Sequence, residues 1–110
     1  MNRLKDQRAF NRVFQKGKQK KAAGISIRYF KRKDCGKNRV GVAVSRTVPN
    51  AVIRNYAKRI MRELYYTFES RTKPGYDIVL LCLRPQKKMN FARMKETYET
   101  LLKDADIFIS

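Results

Sequence analysis

An almost uninterrupted apolar run late in the sequence does most to limit the folds open to this chain. Residues 76–83 read YDIVLLCL, with a single charged side chain. A short run of this kind is typical of a β-strand, and its continuous apolar character indicates burial on both faces. Pro74 and Gly75 form a turn before it and Pro85 ends it. We therefore expect a central strand of a sheet.

Two further strands are predicted earlier in the chain. Residues 25–30 (ISIRYF) and 40–45 (VGVAVS) alternate in side-chain character with a period of two. The polar segment 31–38 between them is predicted to be a hairpin connection, and 16–21 a basic loop. Small residues on one face of the 40–45 strand should allow a helix or a ligand to approach closely.

Three helices are predicted from caps and apolar spacing. Asp6 is a candidate N-cap for a first helix, which Gly17 is expected to end in a left-handed conformation. Asn50 should cap a second helix that runs to about Phe68, and Asn90 a third. In the third helix, apolar side chains recur at helical spacing at 91, 94, 98, 101 and 102.

The predicted order is helix, strand, strand, helix, strand, helix, which indicates an α/β two-layer sandwich. At 110 residues, the chain has room for one core, so residues 1–110 are expected to form a single domain. The strand–helix–strand unit from Val40 to Leu83 is long enough for a parallel crossover. Physical principles alone favour a right-handed crossover.

Charge points to a polyanionic partner. The chain has 27 Lys and Arg against 9 Asp and Glu, a net charge of +18, which exceeds what solubility requires. Residues 1–73 hold 21 basic and 4 acidic side chains, whereas residues 74–110 hold 6 and 5. The binding face should therefore lie in the first two thirds of the chain.

The composition argues against several kinds of site. There is no His, which removes the commonest general base and every Ser-His or Cys-His pair. The acids are too scattered in sequence to suggest a two-metal centre, and Cys35 and Cys82 lack zinc-ligand spacing. No apolar run is long enough to span a membrane, and the N-terminus lacks a signal core. We expect a cytoplasmic protein and identify no catalytic residue or metal ligand in the sequence: a protein-only hydrolase would have little to build with, although carboxylates from distant segments could still converge in space.

The helix predicted for residues 50–68 separates into an apolar and a basic face. Positions 53, 57, 60, 64 and 68 are apolar and cluster on one side, opposite Arg54, Asn55, Lys58, Arg59 and Arg62. A row of like charges at i, i+4 and i+8 costs helix stability unless anions lie between them. Arg binds phosphate bidentately, so this face is a candidate for contact with a phosphate backbone. An ordinary solvated face usually carries interleaved acids, and only Glu63 is nearby.

The stretch RVGVAVSRTVPNAVIRNYAKRIMRE, residues 39–63, resembles the signature of the bacterial ribonuclease P protein family. The positions that match are Val44, Ser45, Arg46, Asn50, Ala51, Val52, Arg54, Asn55, Lys58, Arg59 and Arg62. AFNRVFQKG at 9–17 and GYDIVLLCLRP at 75–85 are similar to the family's opening and last strand. The chain departs from the pattern at Thr47, Pro49 and Tyr56; Tyr56 stands where the family usually has an Arg.

The resemblance implies a fold and a function. The family's fold is an α/β sandwich of a mixed sheet and three helices, with a left-handed strand–helix–strand crossover. Its holoenzyme removes the 5′ leader from precursor tRNA, with a large RNA and Mg²⁺, held mainly by that RNA, performing the chemistry. The protein would bind both the catalytic RNA and the leader. The residues expected to bind the catalytic RNA are Arg46, Asn50, Arg54, Asn55, Lys58, Arg59 and Arg62.

A cleft between the first helix and the sheet is the expected leader site. Aromatic side chains there can stack on unpaired bases with little sequence preference, while basic side chains meet the phosphates. The residues expected to line the cleft are Phe10, Val13, Phe14, Arg28, Tyr29 and Phe30. From the residues alone, Phe10 and Phe14 are as well explained as core side chains.

Three other functions are compatible with parts of the pattern. A structural RNA-binding protein of the ribosome would share the size, charge and α/β layers, but would not need the basic motif of residues 54–62. A duplex-DNA binder is less well supported, since no helix-turn-helix spacing precedes the basic helix. A protein of the membrane surface is least supported, because the apolar face of that helix is needed for the core.

Overall fold

The computed structural model describes residues 2–34, 36–45 and 50–109. Over these ranges the chain forms five strands, three α-helices and one turn of 3₁₀-helix at Glu69–Arg71. The strands are β1 (Asn2–Arg3), β2 (Lys18–Ala22), β3 (Ile25–Lys31), β4 (Arg39–Val44) and β5 (Tyr76–Cys82). The helices are α1 (Gln7–Lys16), α2 (Ala51–Phe68) and α3 (Phe91–Asp104).

The strands form one mixed sheet in the order β1-β4-β5-β3-β2. β4 pairs in parallel with both β1 and β5, whereas β3 pairs antiparallel with β5 and β2. β5 is therefore the central strand, and residues 77–80 and Cys82 are almost fully buried. The prediction from the YDIVLLCL run is confirmed, and α2 supplies the predicted crossover between the parallel strands β4 and β5.

Helices cover both faces of the sheet. On one face, α2 and α3 enclose the larger core with β3, β4 and β5. On the other, α1 packs on β3 and β5 over a smaller cluster that contains Leu4, Ala9, Val13 and Val79. The α/β class, the mixed sheet and the three helices are confirmed, and α1 forms a further layer opposite α2 and α3. Asp6, Asn50 and Asn90 each cap the helix predicted for them.

Two predicted connections are wrong. Residues 31–38 do not close a hairpin, because β5 lies between β3 and β4. The antiparallel hairpin is instead β2–β3, turned by Ala23 and Gly24, whose φ angles of 47° and 83° suit a two-residue turn. The predicted basic loop at 16–21 is largely the edge strand β2, all of whose residues are exposed. An edge strand without a buried face gives no alternating apolar signal, which explains why the sequence did not reveal it.

Gly17 ends α1 as predicted, but for another reason. Its φ of −76° and ψ of 168° are extended rather than left-handed. A Cβ at this position would lie 2.4 Å from the Val13 carbonyl oxygen and 2.7 Å from that of Tyr29. Glycine is needed there because the chain turns from α1 into β2 against the backbone of β3.

Asp77 is a buried carboxylate at the centre of the sheet, with no solvent exposure. Arg39 of β4 donates to both of its oxygens at 2.7 Å, and this hydrogen bonding raises the pKa of Arg39. Arg32 donates to Asp77 Oδ1 at 2.8 Å and also to the carbonyl oxygens of Tyr76 and Lys37. Arg12 of α1 places its Nη2 3.8 Å from Asp77 Oδ2. One carboxylate therefore joins the central strand, its parallel neighbour, the β3–β4 connection and α1.

We predict that Asp77→Asn lowers the free energy of unfolding by about 3 kcal/mol, because it leaves Arg32 and Arg39 without their buried counter-charge. Urea denaturation followed by circular dichroism measures this loss. Asp104→Asn, which changes an exposed acid on α3, is the matched control and should change stability by less than about 0.5 kcal/mol. Equal stability of the two variants would contradict the role given to Asp77.

Candidate nucleic-acid interface

Helix α2 displays the predicted basic face. Asn50 fixes its first turn by accepting from the backbone N–H groups of Val52 and Ile53 at 2.9 and 3.3 Å. The buried side chains of the helix are Ala57, Ile60, Met61, Leu64, Tyr65 and Phe68. Since these side chains hold the helix on the sheet, the basic row is turned outward. The apolar and basic faces predicted from the sequence are both present, except that Ile53, predicted for the apolar face, is only half-buried.

The predicted RNA-binding residues of α2 share this outward face. Asn50, Asn55 and Arg59 are exposed, and Arg54, Lys58 and Arg62 are half-buried. Within the described part of the chain, no carboxylate lies within salt-bridge distance of Lys58, Arg59 or Arg62. Arg46 lies outside the described residues. The positive charges of Lys58, Arg59 and Arg62 are thus available to an external anion.

A groove of about 800 Å³ runs along the first half of α2. Among the described residues, its lining contains cations, amides and apolar side chains, and no acid: Asn50, Val52, Ile53, Asn55, Tyr56, Arg59, Arg62 and Lys87. Lys87 comes from the connection between β5 and α3 and was not predicted. It is distant from α2 in sequence, so only the fold reveals that the two share a surface.

Tyr56 has one polar and one cationic neighbour. Its hydroxyl oxygen accepts from the Met89 backbone N–H at 3.4 Å. The Arg59 guanidinium lies over its ring, with Cζ 5.5 Å from the ring centroid. The ring therefore joins the β5–α3 connection to the basic face of α2.

A second surface lies between α1 and the sheet. Phe10 is half-buried and rests on Gly41, where a Cβ would come within 2.7 Å of Phe10 Cζ. This contact confirms that the small residues of β4 allow close approach of a helix. Phe14 is 45% exposed. The Arg28 guanidinium lies over its ring, with Cζ 4.9 Å from the ring centroid. Phe30 is half-buried, and the Arg12 guanidinium lies over its ring with Cζ 5.3 Å from the ring centroid.

Two of the predicted cleft residues are placed differently. Val13 is fully buried on the face of α1 that packs against the sheet. Tyr29 belongs to the larger core on the opposite face of the sheet, where its ring meets Tyr76 edge-on at 6.3 Å. Burial raises the pKa of Tyr29. The structure thus brings Phe10, Phe14, Arg28 and Phe30 to the α1 side of the sheet and does not bring Tyr29 to them.

The α1 cleft and the basic face of α2 meet at Arg62. Its side chain helps line a depression of about 230 Å³ together with Phe10, Gly41 and Val42. Arg3 and Lys5, which were not predicted as site residues, also line it. β4 lies next to the edge strand of the sheet. Arg62, on the α2 side of the sheet, can therefore extend to the cleft on the α1 side. The two surfaces are continuous, and cations mark the junction.

The fold and these surfaces define a small basic α/β protein with a charged helix face suited to a polyanion. The family model described as Ribonuclease P matches residues 1–106. The chain therefore belongs to the ribonuclease P protein family and is a protein component of that endoribonuclease complex. The resemblance seen in the sequence is confirmed.

Relatives and solved structures agree with the family. The ribonuclease P protein component of Oceanobacillus iheyensis is 33% identical over 100 residues, covering 91% of this chain and 83% of that one. The RNase P protein of Staphylococcus aureus superposes with a TM-score of 0.83 at 29% identity, covering 98% of each chain. That of Thermotoga maritima gives a TM-score of 0.77 at 27% identity, covering 94% of this chain and 97% of that one.

Two features are absent among the described residues. No helix among them is both long and apolar enough to cross a membrane. No three His, Cys, Asp or Glu side chains among them come together as a set that could hold a metal ion.

Proposed function

We propose that this chain binds the catalytic RNA of ribonuclease P through α2 and the 5′ leader of precursor tRNA through the α1 cleft. The observation that carries the proposal is the continuity of the two surfaces at Arg62. A protein that joins two RNA molecules needs separate contact surfaces that lie next to each other. The excess of basic side chains lowers the repulsion between the two polyanions.

The chemistry is assigned to the RNA partner, which would hold the Mg²⁺; the ion would supply Lewis-acid chemistry for hydrolysis of the phosphodiester. The carboxylates of the described residues are not arranged as a set of ligands for Mg²⁺. The buried carboxylate, Asp77, is occupied by Arg32 and Arg39, and the other described acids do not group. The protein's part is to position the RNAs, and the expected location of the holoenzyme is the cytoplasm.

The leader site is supported by the rings of Phe10, Phe14 and Phe30 and by the guanidinium groups that lie over Phe14 and Phe30. Phe14 offers an exposed ring next to Arg28, so a base can stack while its phosphate meets the guanidinium. Arg12 and Phe30 repeat this pairing nearer the central strand. Tyr29 is left out of the proposed site, and Val13 acts by holding α1 on the sheet.

The ribosomal and DNA-binding alternatives lose support. Family membership accounts for the motif of residues 39–63, which neither alternative requires. A ribosomal protein would also show no effect on tRNA processing. The tests below therefore use ribonuclease P RNA and precursor tRNA.

We predict that replacing Arg54, Lys58 and Arg62 together with Ala weakens binding to a bacterial ribonuclease P RNA. Each lost phosphate contact reduces the slope of log K against log salt by about 0.7–0.9, so the slope should flatten by about 2–3 units. A filter-binding titration over several salt concentrations measures both effects.

The matched control removes the same number of charges from α3, at Arg93, Lys95 and Lys103. If the binding face is α2, this variant should retain a slope close to that of the unmodified protein. Identical losses in the two triple variants would show that only total charge matters, and would remove the special role of α2.

We also predict that Phe14→Ala weakens binding of precursor tRNA to the reconstituted holoenzyme by about 5- to 150-fold, the value of one base–aromatic stack. Affinity for mature tRNA, which lacks the leader, should change little. Since Phe14 is already half-exposed, the variant is expected to fold.

Tyr66→Ala is the control, because it truncates a similarly exposed aromatic ring on α2, outside the cleft. It should affect precursor and mature tRNA by the same factor. A Phe14→Ala holoenzyme that still distinguishes the two tRNAs as well as the unmodified one would move the leader away from this cleft.

A further inference from the structure

The groove along α2 has a composition that phosphate binding alone does not explain. Between its cations lies apolar surface: the side chain of Val52 is 76% exposed, and Ile53 beside it is half-buried. Apolar groups offer nothing to a phosphate, and they were part of neither the predicted basic row nor the leader cleft. A base has apolar faces and is joined to phosphates on both sides, so it matches a mixed lining.

Arg59 is held in a position where it can act as a stacking platform. Its guanidinium lies over the Tyr56 ring, and its side chain is exposed. The ring is fixed at its far end by the hydrogen bond from Met89 N–H. A planar guanidinium that already covers an aromatic ring can receive a base on its other side, because Arg planes stack on bases in RNA complexes.

Cations from two parts of the chain line the groove. Arg62 comes from α2, and Lys87 comes from the β5–α3 connection. None of the described residues that line the groove is an acid, and its volume of about 800 Å³ is within the range of pockets that bind small organic molecules. Charge complementarity thus favours a nucleotide over an acidic or apolar segment of a protein, since only the nucleotide uses both the apolar lining and the cations.

We propose that this groove receives one unpaired base of the catalytic RNA, which stacks on the Arg59 guanidinium with Val52 against its edge. The flanking phosphates contact Arg62 and Lys87. This inference rests on the proposed function and adds a base contact to what was otherwise a purely phosphate-binding face. Tyr56 is a positioning residue in it, since it supports Arg59 from behind.

Arg59→Lys separates stacking from charge. Lysine keeps the positive charge but has no planar group. If Arg59 stacks on a base, the variant should bind in vitro transcribed bacterial ribonuclease P RNA about 5- to 150-fold more weakly, with an unchanged salt slope. Tyr56→Leu, which removes the support of the guanidinium, should also weaken binding. Arg93→Lys on α3 makes the same exchange at an exposed position outside the groove and is the control.

A second readout identifies the base. The RNA is treated with a reagent that modifies the pairing edges of unpaired bases, alone and with each protein. The unmodified protein should protect one unpaired base that becomes reactive again with Arg59→Lys and with Tyr56→Leu but stays protected with Arg93→Lys. A contact of Arg59 with a phosphate would produce no such base-specific change.

The experiments test the proposed function and the groove assignment separately. If the unmodified protein does not bind the RNA, the proposed function fails and the groove assignment fails with it. If the unmodified protein binds with the expected salt dependence, while Arg59→Lys binds equally well and exposes no base, only the groove assignment is overturned. Circular dichroism of each variant shows whether it is folded before either result is interpreted.

Discussion

The hydrogen-bonded pairing of Asp77 with Arg32 and Arg39 is the interaction on which the arrangement of this protein depends. A chain with a net charge of +18 must bring many cations together as it folds, and these two are drawn inward by a fully buried carboxylate. The pairing ties β5 to β4 and fixes the β3–β4 connection. Most of the other basic side chains remain outside, where a polyanion can reach them.

The two faces of the sheet support different surfaces of the protein. The face under α2 and α3 carries the larger core and holds α2 so that its basic row points outward. The face under α1 has a smaller core, and this leaves Phe10 half-buried and Phe14 exposed. The two surfaces meet at the β4 edge, where Arg62 reaches the cleft. A compact sheet thus presents two adjoining surfaces, which we propose to contact two RNA partners.

Elements with strong local signals could be predicted from the sequence. The apolar run of β5, the Asn50 and Asn90 caps and the two faces of α2 each depend on neighbouring residues, and the structure contains them all. Strand pairing could not be predicted in this way, because the position of β5 between β3 and β4 depends on the crossover and not on the 31–38 segment. β2 was missed because an exposed edge strand has no apolar alternation.

The same division applies to the candidate site. The basic face of α2 was visible at helical spacing, and the resemblance to the family pointed to the rings of α1. Tyr29 was misjudged because successive strand residues face opposite sides, and nothing in residues 25–30 shows which side α1 covers. Lys87, Arg3 and Lys5 reach the site only through tertiary packing. Their contribution could be recognised only once the sheet order was known.

The most direct test of the central claim is reconstitution. The purified protein is added to a bacterial ribonuclease P RNA at low Mg²⁺, and cleavage of the 5′ leader from precursor tRNA is followed over time. Our account predicts that the protein strongly accelerates cleavage by the RNA and that the protein alone cleaves nothing at any Mg²⁺ concentration. A protein that leaves the RNA's activity unchanged, or that cleaves precursor tRNA after rigorous removal of RNA, would contradict it.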